Sequence, residues 1–346
     1  MNKKKILVIT EVKHINNLTN ELNKIGKVTY LDNPNFNQVK KIINNYDVIF
    51  TNPNKSKIYI GKKLLENSKL EVVCTASTGL NHINVNYLKK RKIKIISLTK
   101  EKKITNKISS TAEMALALTL SSLRNVVTSS KSVLQGTWDY TKFIGRQFDA
   151  MNVGIIGYGR LGKMYAKYCK ALGAKIIVYD PYVKQKKNYF TQNLNNLLKK
   201  SDIISLHIHL SEKNKNIINF KKLSLMKSNV LIVNTSRGEL INENDIIKFL
   251  KKNPNAKLAT DVVSNEILKR KSNLLIKNAK KNNQIMITPH IGGMTVEAQD
   301  FAYKGVTRLL KKFLKKWKFL YYFKSVHTLY AIKAHYKLSQ NRNLTF

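Results

Sequence analysis

The chain has 346 residues, 43% of them apolar, which is enough for two domains of ordinary size, each with its own core. Its formal net charge is +43, but nearly all of the excess is lysine, with only eight arginines, spread along the chain beside Asn and Ile; this reads as solvated lysine faces that attract small anions rather than as a specific nucleic-acid site. Two cysteines, Cys74 and Cys169, exclude a disulfide framework and a structural zinc site, and no apolar run approaches the roughly 20 residues of a membrane span, so a reducing, cytoplasmic setting is expected.

The opening "MNKKKILVIT" is basic like a secretory leader, yet its apolar run is broken after Ile9 by Thr10, Glu11 and Lys13, so it is read as a first strand. From there to about residue 100, "KILVIT", "KVTYLD", "DVIFTN", "LEVVCTAS" and "IKIISL" read as strands, with "INNLTNELNKIG", "FNQVKKIINNY" and "GKKLLENS" as helices between them. Alternation of this kind implies a parallel sheet covered on both faces. A long helix, "STAEMALALTLSSLRN", is apolar on most faces and must be buried inside a domain or in a subunit contact. A loop containing "GTWDYTKFIGRQF" then leads to a second alternating block that begins at Met151 and runs to "QIMITPHI". A last helix starts near Thr295, and the tail after it is aromatic, basic and poorly periodic.

Within "GIIGYGRLG", Gly157, Gly159 and Gly162 form G-x-G-x-x-G between a Val/Ile-rich strand and a helix, and the next strand ends in Asp180. The pattern is weak alone, but this context is that of a dinucleotide-binding βαβ unit. Gly157 permits the tight turn, Gly159 lets a pyrophosphate approach the backbone, and Gly162 allows close helix packing. The pyrophosphate is expected against the free N–H groups near Arg160 and Leu161. Asp180 is expected to accept hydrogen bonds from the ribose hydroxyls and to repel a 2′-phosphate, favouring NAD over NADP.

Three further polar stations lie at strand ends, where open α/β sheets bind ligands: "NTSRGE" with Arg237, "ATDVVSNE" with Asp261 and Glu266, and "TPHIGG" with His290. Taken singly, each also fits a surface ion pair, a solvated acid or a satisfied histidine.

Taken together, these motifs resemble the D-isomer-specific 2-hydroxyacid dehydrogenases. The resemblance covers roughly residues 70 to 310 and rests on "STGLNHIN", "TAEMALALTLSSLRN", "GIIGYGRLG", "YDP", "SLHIHL", "NTSRGELINENDII", the stretch from Asp261 to Glu266, and "TPHIGG", in order. It implies two doubly wound parallel-sheet domains. A flavodoxin-like substrate domain would take residues 1–102 and be completed by a C-terminal helix over 295–320; a Rossmann NAD-binding domain would take 103–294, and 321–346 would be a tail without an assigned role.

The resemblance also implies roles. Arg237 would hold the substrate carboxylate and polarise the keto oxygen, His290 would be the general acid–base, and Glu266 would orient His290 and favour its protonated form. Backbone N–H groups around Thr78 and Gly79 would bind the carboxylate, so that substrate lies between the domains. Asp261, Thr235 and Gly292 would lie near the nicotinamide, while His82 reads as structural. The helix from Thr111 to Asn125 would contribute to a homodimer interface. A small 2-keto or D-2-hydroxy acid is the implied substrate, NAD the cofactor, and no metal is expected. A non-catalytic NAD-sensing protein on the same fold is the alternative. Two departures stand out: Ile267 follows Glu266 where the family usually has proline, and "GRQFDAMNVGIIG" lacks the usual Leu and Gly-Lys before the nucleotide strand.

Overall fold

A computed structural model of the chain describes residues 3–53, 58–183, 188–267 and 270–316. The chain divides into two units, Met1–Thr105 with Asp300–Phe346, and Asn106–Gln299. The tail over 321–346 lies outside the described residues.

In the first unit the β-branched runs form strands β1 (Lys5–Val8), β2 (Lys27–Tyr30), β3 (Val48–Thr51), β4 (Val72–Thr75) and β5 (Lys94–Ile96). They pair in the order β2-β1-β3-β4-β5, every pairing parallel, which is the flavodoxin-like doubly wound arrangement. Helices α1 (Leu18–Ile25), α2 (Phe36–Ile42), α3 (Lys62–Leu65), α4 (Val85–Lys90) and α5 (Lys102–Thr105) follow the strands. Because helices cover both faces, β3 and β4 are buried along their whole length. The sequence pattern does not reveal α4, whose six residues are too few to display a helical period; Asn84 starts it by accepting from the Tyr87 N–H.

The final helix is described from residue 296 to 316. In its stretch within the first unit, Ala302, Tyr303, Val306, Leu310 and Leu314 are buried, while Arg308, Lys311, Lys312, Lys315 and Lys316 are exposed. Tyr303 anchors it: the phenol oxygen lies 3.3 Å from Thr10 Oγ1 and accepts from Asn52 Nδ2 at 3.1 Å.

The second unit carries strands β6 (Asn152–Ile156), β7 (Lys175–Tyr179), β8 (Ile203–Leu206), β9 (Leu231–Asn234), β10 (Lys257–Thr260) and β11 (Ile285–Ile287). Their order is β11-β10-β9-β8-β6-β7, again parallel throughout. Helices α6 (Ser110–Leu123), α7 (Val126–Leu134), α8 (Arg160–Ala171), α9 (Leu194–Lys200), α10 (Phe220–Leu223), α11 (Glu243–Lys252) and α12 (Leu274–Ala279) complete it. Successive strand residues feed opposite faces: Val153, Ile155, Ile203, Leu231 and Val233 pack in one core cluster, and Ile156, Ile204, Leu206 and Ile232 in the other. The strand order reverses between β6 and β8, so a ligand is expected at the carboxyl end of β6.

Helix α6 buries Ala112, Ala115, Leu118 and Leu123 against the first of these clusters, and its buried Thr119 Oγ1 lies 2.8 Å from the Tyr165 hydroxyl of α8. Its apolar character is therefore used inside its own unit. The stretch after it differs from the loop read in the sequence. After left-handed Asn125 (φ 54°) the chain enters α7, which buries no residue. A helix of Val, Ser and Thr with no buried stripe leaves no hydrophobic period to detect.

Candidate active site

The glycine loop begins where β6 ends. Gly157 is left-handed (φ +95°), and its N–H donates to Tyr179 O at 2.8 Å, which sets the turn. A Cβ on Gly162 would lie 2.0 Å from the Gly157 carbonyl oxygen, so α8 can pack this close to the turn only with glycine there. A Cβ on Gly159, by contrast, would meet nothing within 4 Å. That opening lies at the N-terminus of the twelve-residue α8, where the first N–H groups, at Arg160 and Leu161, have no intrahelical acceptor. Arg160 itself donates through Nη1 to Ile108 O, and burial pushes its guanidinium below the ordinary arginine value.

Asp180 follows the end of β7. Its Oδ2 accepts from Tyr158 N at 2.7 Å and its Oδ1 from Tyr182 N at 2.9 Å. A carboxylate has about four acceptor sites, so two remain for ribose hydroxyls. On the β9 side, the Thr235 hydroxyl is buried and has no hydrogen-bond partner among the described residues. A buried polar atom left in this way is costly unless a ligand completes it. The open glycine cradle, the half-used Asp180 carboxylate and the Thr235 hydroxyl together fit a bound dinucleotide.

His207, just past β8, lines the other wall of the turn: a Cβ on Gly157 would come within 2.5 Å of the His207 carbonyl oxygen. Its ring is half-buried, with Nε2 2.9 Å from Ser205 Oγ, and burial depresses its pKa to about 3 from the ordinary 6.5. The folded protein thus binds this proton less readily than the unfolded chain does. The stability contribution is complete above about pH 6.5 and is lost as pH falls toward about 3, at up to about 1.4 kcal/mol per pH unit. Urea unfolding of the parent and a His207→Gln variant at pH 7 and pH 5 is expected to show the smaller pH loss in the variant; equal losses would remove His207 from the account.

Glu266 and His290 come together from two loops. His290 Nδ1 lies 2.7 Å from Glu266 Oε1, with the histidine side chain 37% exposed and the glutamate 19%. A carboxylate on Nδ1 fixes the tautomer and leaves Nε2 to face a reactant. His290 has a left-handed backbone (φ 58°), uncommon for a residue with a side chain, so the surroundings must hold it there. Asp261 does so. Its Oδ1 accepts from Thr288 Oγ1 at 2.6 Å and Ile291 N at 2.9 Å, and its Oδ2 from Gly292 N at 2.7 Å, while Thr111 Oγ1 donates to Gly292 O. The resemblance implies that Asp261 and Gly292 lie beside the cofactor; the structure shows them bound to each other. Thr288 carries no signal in a single sequence, since only the fold brings it to Asp261.

Arg237 leaves β9 through a loop tied by Asn234, whose Oδ1 accepts from Ser236 N and whose Nδ2 donates to Arg237 O. Burial pushes the guanidinium below its ordinary value, and the negative charges of Glu266 and Glu239 push it back up. Arginine stays charged through such shifts. Arg237, Glu266, His290 and Asp261 thus fall within the second unit. Thr78 and Gly79 belong to the first, on the loop after β4, where the Gly79 N–H donates to Ser77 Oγ at 3.1 Å and Thr99 Oγ1 donates to Thr78 O at 2.9 Å. His82 is buried with Nε2 3.1 Å from Thr75 Oγ1. Among the described residues no cluster of three His, Cys, Asp or Glu side chains could hold a metal.

A family model described as "D-isomer specific 2-hydroxyacid dehydrogenase, NAD binding domain" matches residues 116–292. A D-3-phosphoglycerate dehydrogenase of Methanocaldococcus jannaschii is 30% identical over 300 residues, covering 85% of this chain and 55% of that protein. A glyoxylate reductase of Thermococcus litoralis is 32% identical over 268 residues, covering 74% of this chain and 78% of the relative. The chain thus spans just over half the length of the first relative and most of the second. Among solved structures, a D-lactate dehydrogenase from Aquifex aeolicus complexed with NAD and lactic acid has the same fold, with a TM-score of 0.75 at 24% identity over 90% of this chain and 96% of that one.

Proposed function

The chain belongs to the D-isomer specific 2-hydroxyacid dehydrogenase family, and on that premise we propose that it is an NAD-dependent enzyme interconverting a small 2-keto acid and a D-2-hydroxy acid. The observation that carries the reading is the Glu266–His290 hydrogen bond of 2.7 Å, in a unit where Arg237 is a half-buried cation feeling the Glu266 charge. A sensing protein can keep these residues but does not require an oriented imidazole, so the geometry favours catalysis.

When bound, the dinucleotide supplies and takes back the hydride. Arg237 binds the substrate carboxylate through its planar fork and draws charge onto the adjacent keto oxygen. His290 Nε2 gives its proton to that oxygen as it becomes a hydroxyl, and removes the proton in the reverse direction. Glu266 accepts the Nδ1–H bond throughout and offsets the positive charge of the imidazolium. The Thr78 backbone amide is proposed as a further carboxylate donor, while the Gly79 N–H is taken up by Ser77 Oγ. The lysine-rich surface favours anionic acids, a phosphorylated one such as 3-phosphoglycerate included.

The test is oxidation of NADH, with NADPH in parallel, against glyoxylate, hydroxypyruvate, pyruvate, 2-oxoglutarate and 3-phosphohydroxypyruvate. Turnover of one of them with NADH preferred supports the reading. Silence across the panel with NADH still bound would transfer the case to a sensor.

The proposed working form is a cytoplasmic homodimer. No helix among the described residues is long and apolar enough to cross a membrane. Support for a second copy lies in α7 and the segment after it, where Leu134, Trp138, Tyr140 and Ile144 are each more than 80% exposed. Such a run of bare apolar side chains is unusual on a monomer. Paired charge substitutions, Leu134→Asp with Trp138→Asp, are expected to convert a dimer to a monomer in light scattering at micromolar concentration; a monomeric parent would overturn the proposal.

A further inference from the structure

We infer that Glu239 is a positioning residue for the acid–base pair: its carboxylate holds the backbone of the loop that carries Glu266 and so aims Glu266 at His290. The inference rests on the function proposed above and deepens it.

The loop from Val263 to Ile267 has little to stiffen it locally. Asn265 is left-handed (φ 54°) and exposed, and Ile267, not a proline, follows Glu266. Its order comes from the Arg237 loop instead. Glu239 Oε1 accepts from Asn265 N at 3.0 Å, and Glu243 Oε1 accepts from the preceding amide, Ser264 N, at 2.8 Å. Asn273 Nδ2 donates to both Glu243 oxygens and to Ser264 O, which fixes the second carboxylate. Between the two acids and Arg237 sits Gly238, where a Cβ would lie 2.0 Å from Val263 C and 2.2 Å from Ser264 N. The two loops therefore touch backbone to backbone, and only glycine allows it.

Hydrogen bonds from backbone N–H to a carboxylate are charge-assisted and directional. Two on consecutive amides remove the freedom of the peptide planes just before Glu266. Since the Glu266 carboxylate meets a single ring nitrogen, a shift of about 1 Å in its backbone breaks the bond to Nδ1 and lets the imidazole turn. Glu239 is also the middle residue of a 3-10 turn, Gly238–Leu240, whose own backbone is held where Glu239 O accepts from Asn216 N at 2.9 Å. Its side chain thus projects from a fixed base. Both strand-end stations, Arg237 and Glu266, are held in one register by Gly238 and Glu239 between them.

The experiment compares the full chain with its Glu239→Ala and Glu239→Gln variants by two readouts. The first, independent of turnover, is the downfield proton signal of the carboxylate-bound His290 Nδ1–H, identified by its absence in His290→Ala. The second is kcat and KM for whichever 2-keto acid the parent reduces. Alanine is expected to lose the signal and to lower kcat about 10- to 100-fold with KM changed far less. Glutamine keeps an acceptor for the Asn265 N–H and is expected to restore both. Alanine that keeps the signal would overturn the inference, and so would glutamine as impaired as alanine, because charge rather than the bond to Asn265 would then be what matters. A thermal melt lowered in alanine with the signal intact would assign Glu239 to stability alone and also reject it. A parent without turnover on any acid defeats the proposed function but leaves the proton signal to decide the role of Glu239.

Discussion

Replacing His290 with alanine is expected to lower kcat by about 10²- to 10⁴-fold while leaving NADH affinity within about twofold, as read by steady-state rates and by fluorescence titration of NADH. The size of the effect follows from the proposed role: among the described residues only His290 hydrogen-bonds the Glu266 carboxylate, so no neighbour is set to deliver the proton. NADH binding is expected to be spared because the proposed dinucleotide contacts, the glycine cradle, Asp180 and the Thr235 hydroxyl, follow the ends of β6, β7 and β9. A glycine at 290 adds a second, separable effect. It removes the same proton donor but adopts φ near +58° without the cost, about 1 kcal/mol, that a side chain bears there. His290→Gly is thus expected to be as inactive as alanine yet to melt at a higher temperature. Undiminished turnover in either variant would remove His290 from the chemistry.

Arg237→Lys is expected to lower kcat/KM about 100-fold although formal charge is conserved. Arginine presents a planar fork that can bind a carboxylate with two parallel bonds, and lysine offers a point charge on a flexible stem. Burial sharpens the difference. The environment that pushes the guanidinium below its ordinary value leaves it charged all the same, whereas an ammonium in that place gives up its proton readily. The lysine variant is therefore expected to lose further activity as pH rises, through the lysine's own ionisation and beyond whatever loss the parent shows as His290 gives up its proton. A lysine variant with the parent's kcat/KM across pH would show that Arg237 does not clamp the substrate carboxylate.

Much of the fold is legible in the chain because its signals are local. Strand alternation with helical runs announces parallel sheets, and the order of "GIIGYGRLG", "NTSRGE" and "TPHIGG" announces a nucleotide fold with polar residues at its strand ends. What stayed hidden had no local signal. Helix α7 buries nothing and so writes no period, and α4 is too short to show one.

The residues themselves determined the two α/β units, the dinucleotide loop and the candidates Arg237, Glu266 and His290, since glycine freedom, hydrophobic period and side-chain chemistry are properties of short stretches. Tertiary structure alone decided how the candidates are held. Asp261 reaches Thr288, Ile291 and Gly292, and Glu239 and Glu243 reach the amides before Glu266, across long intervals of chain. Hydrogen-bond geometry is set by distances of about 3 Å between loops that only the packed parallel sheet brings side by side.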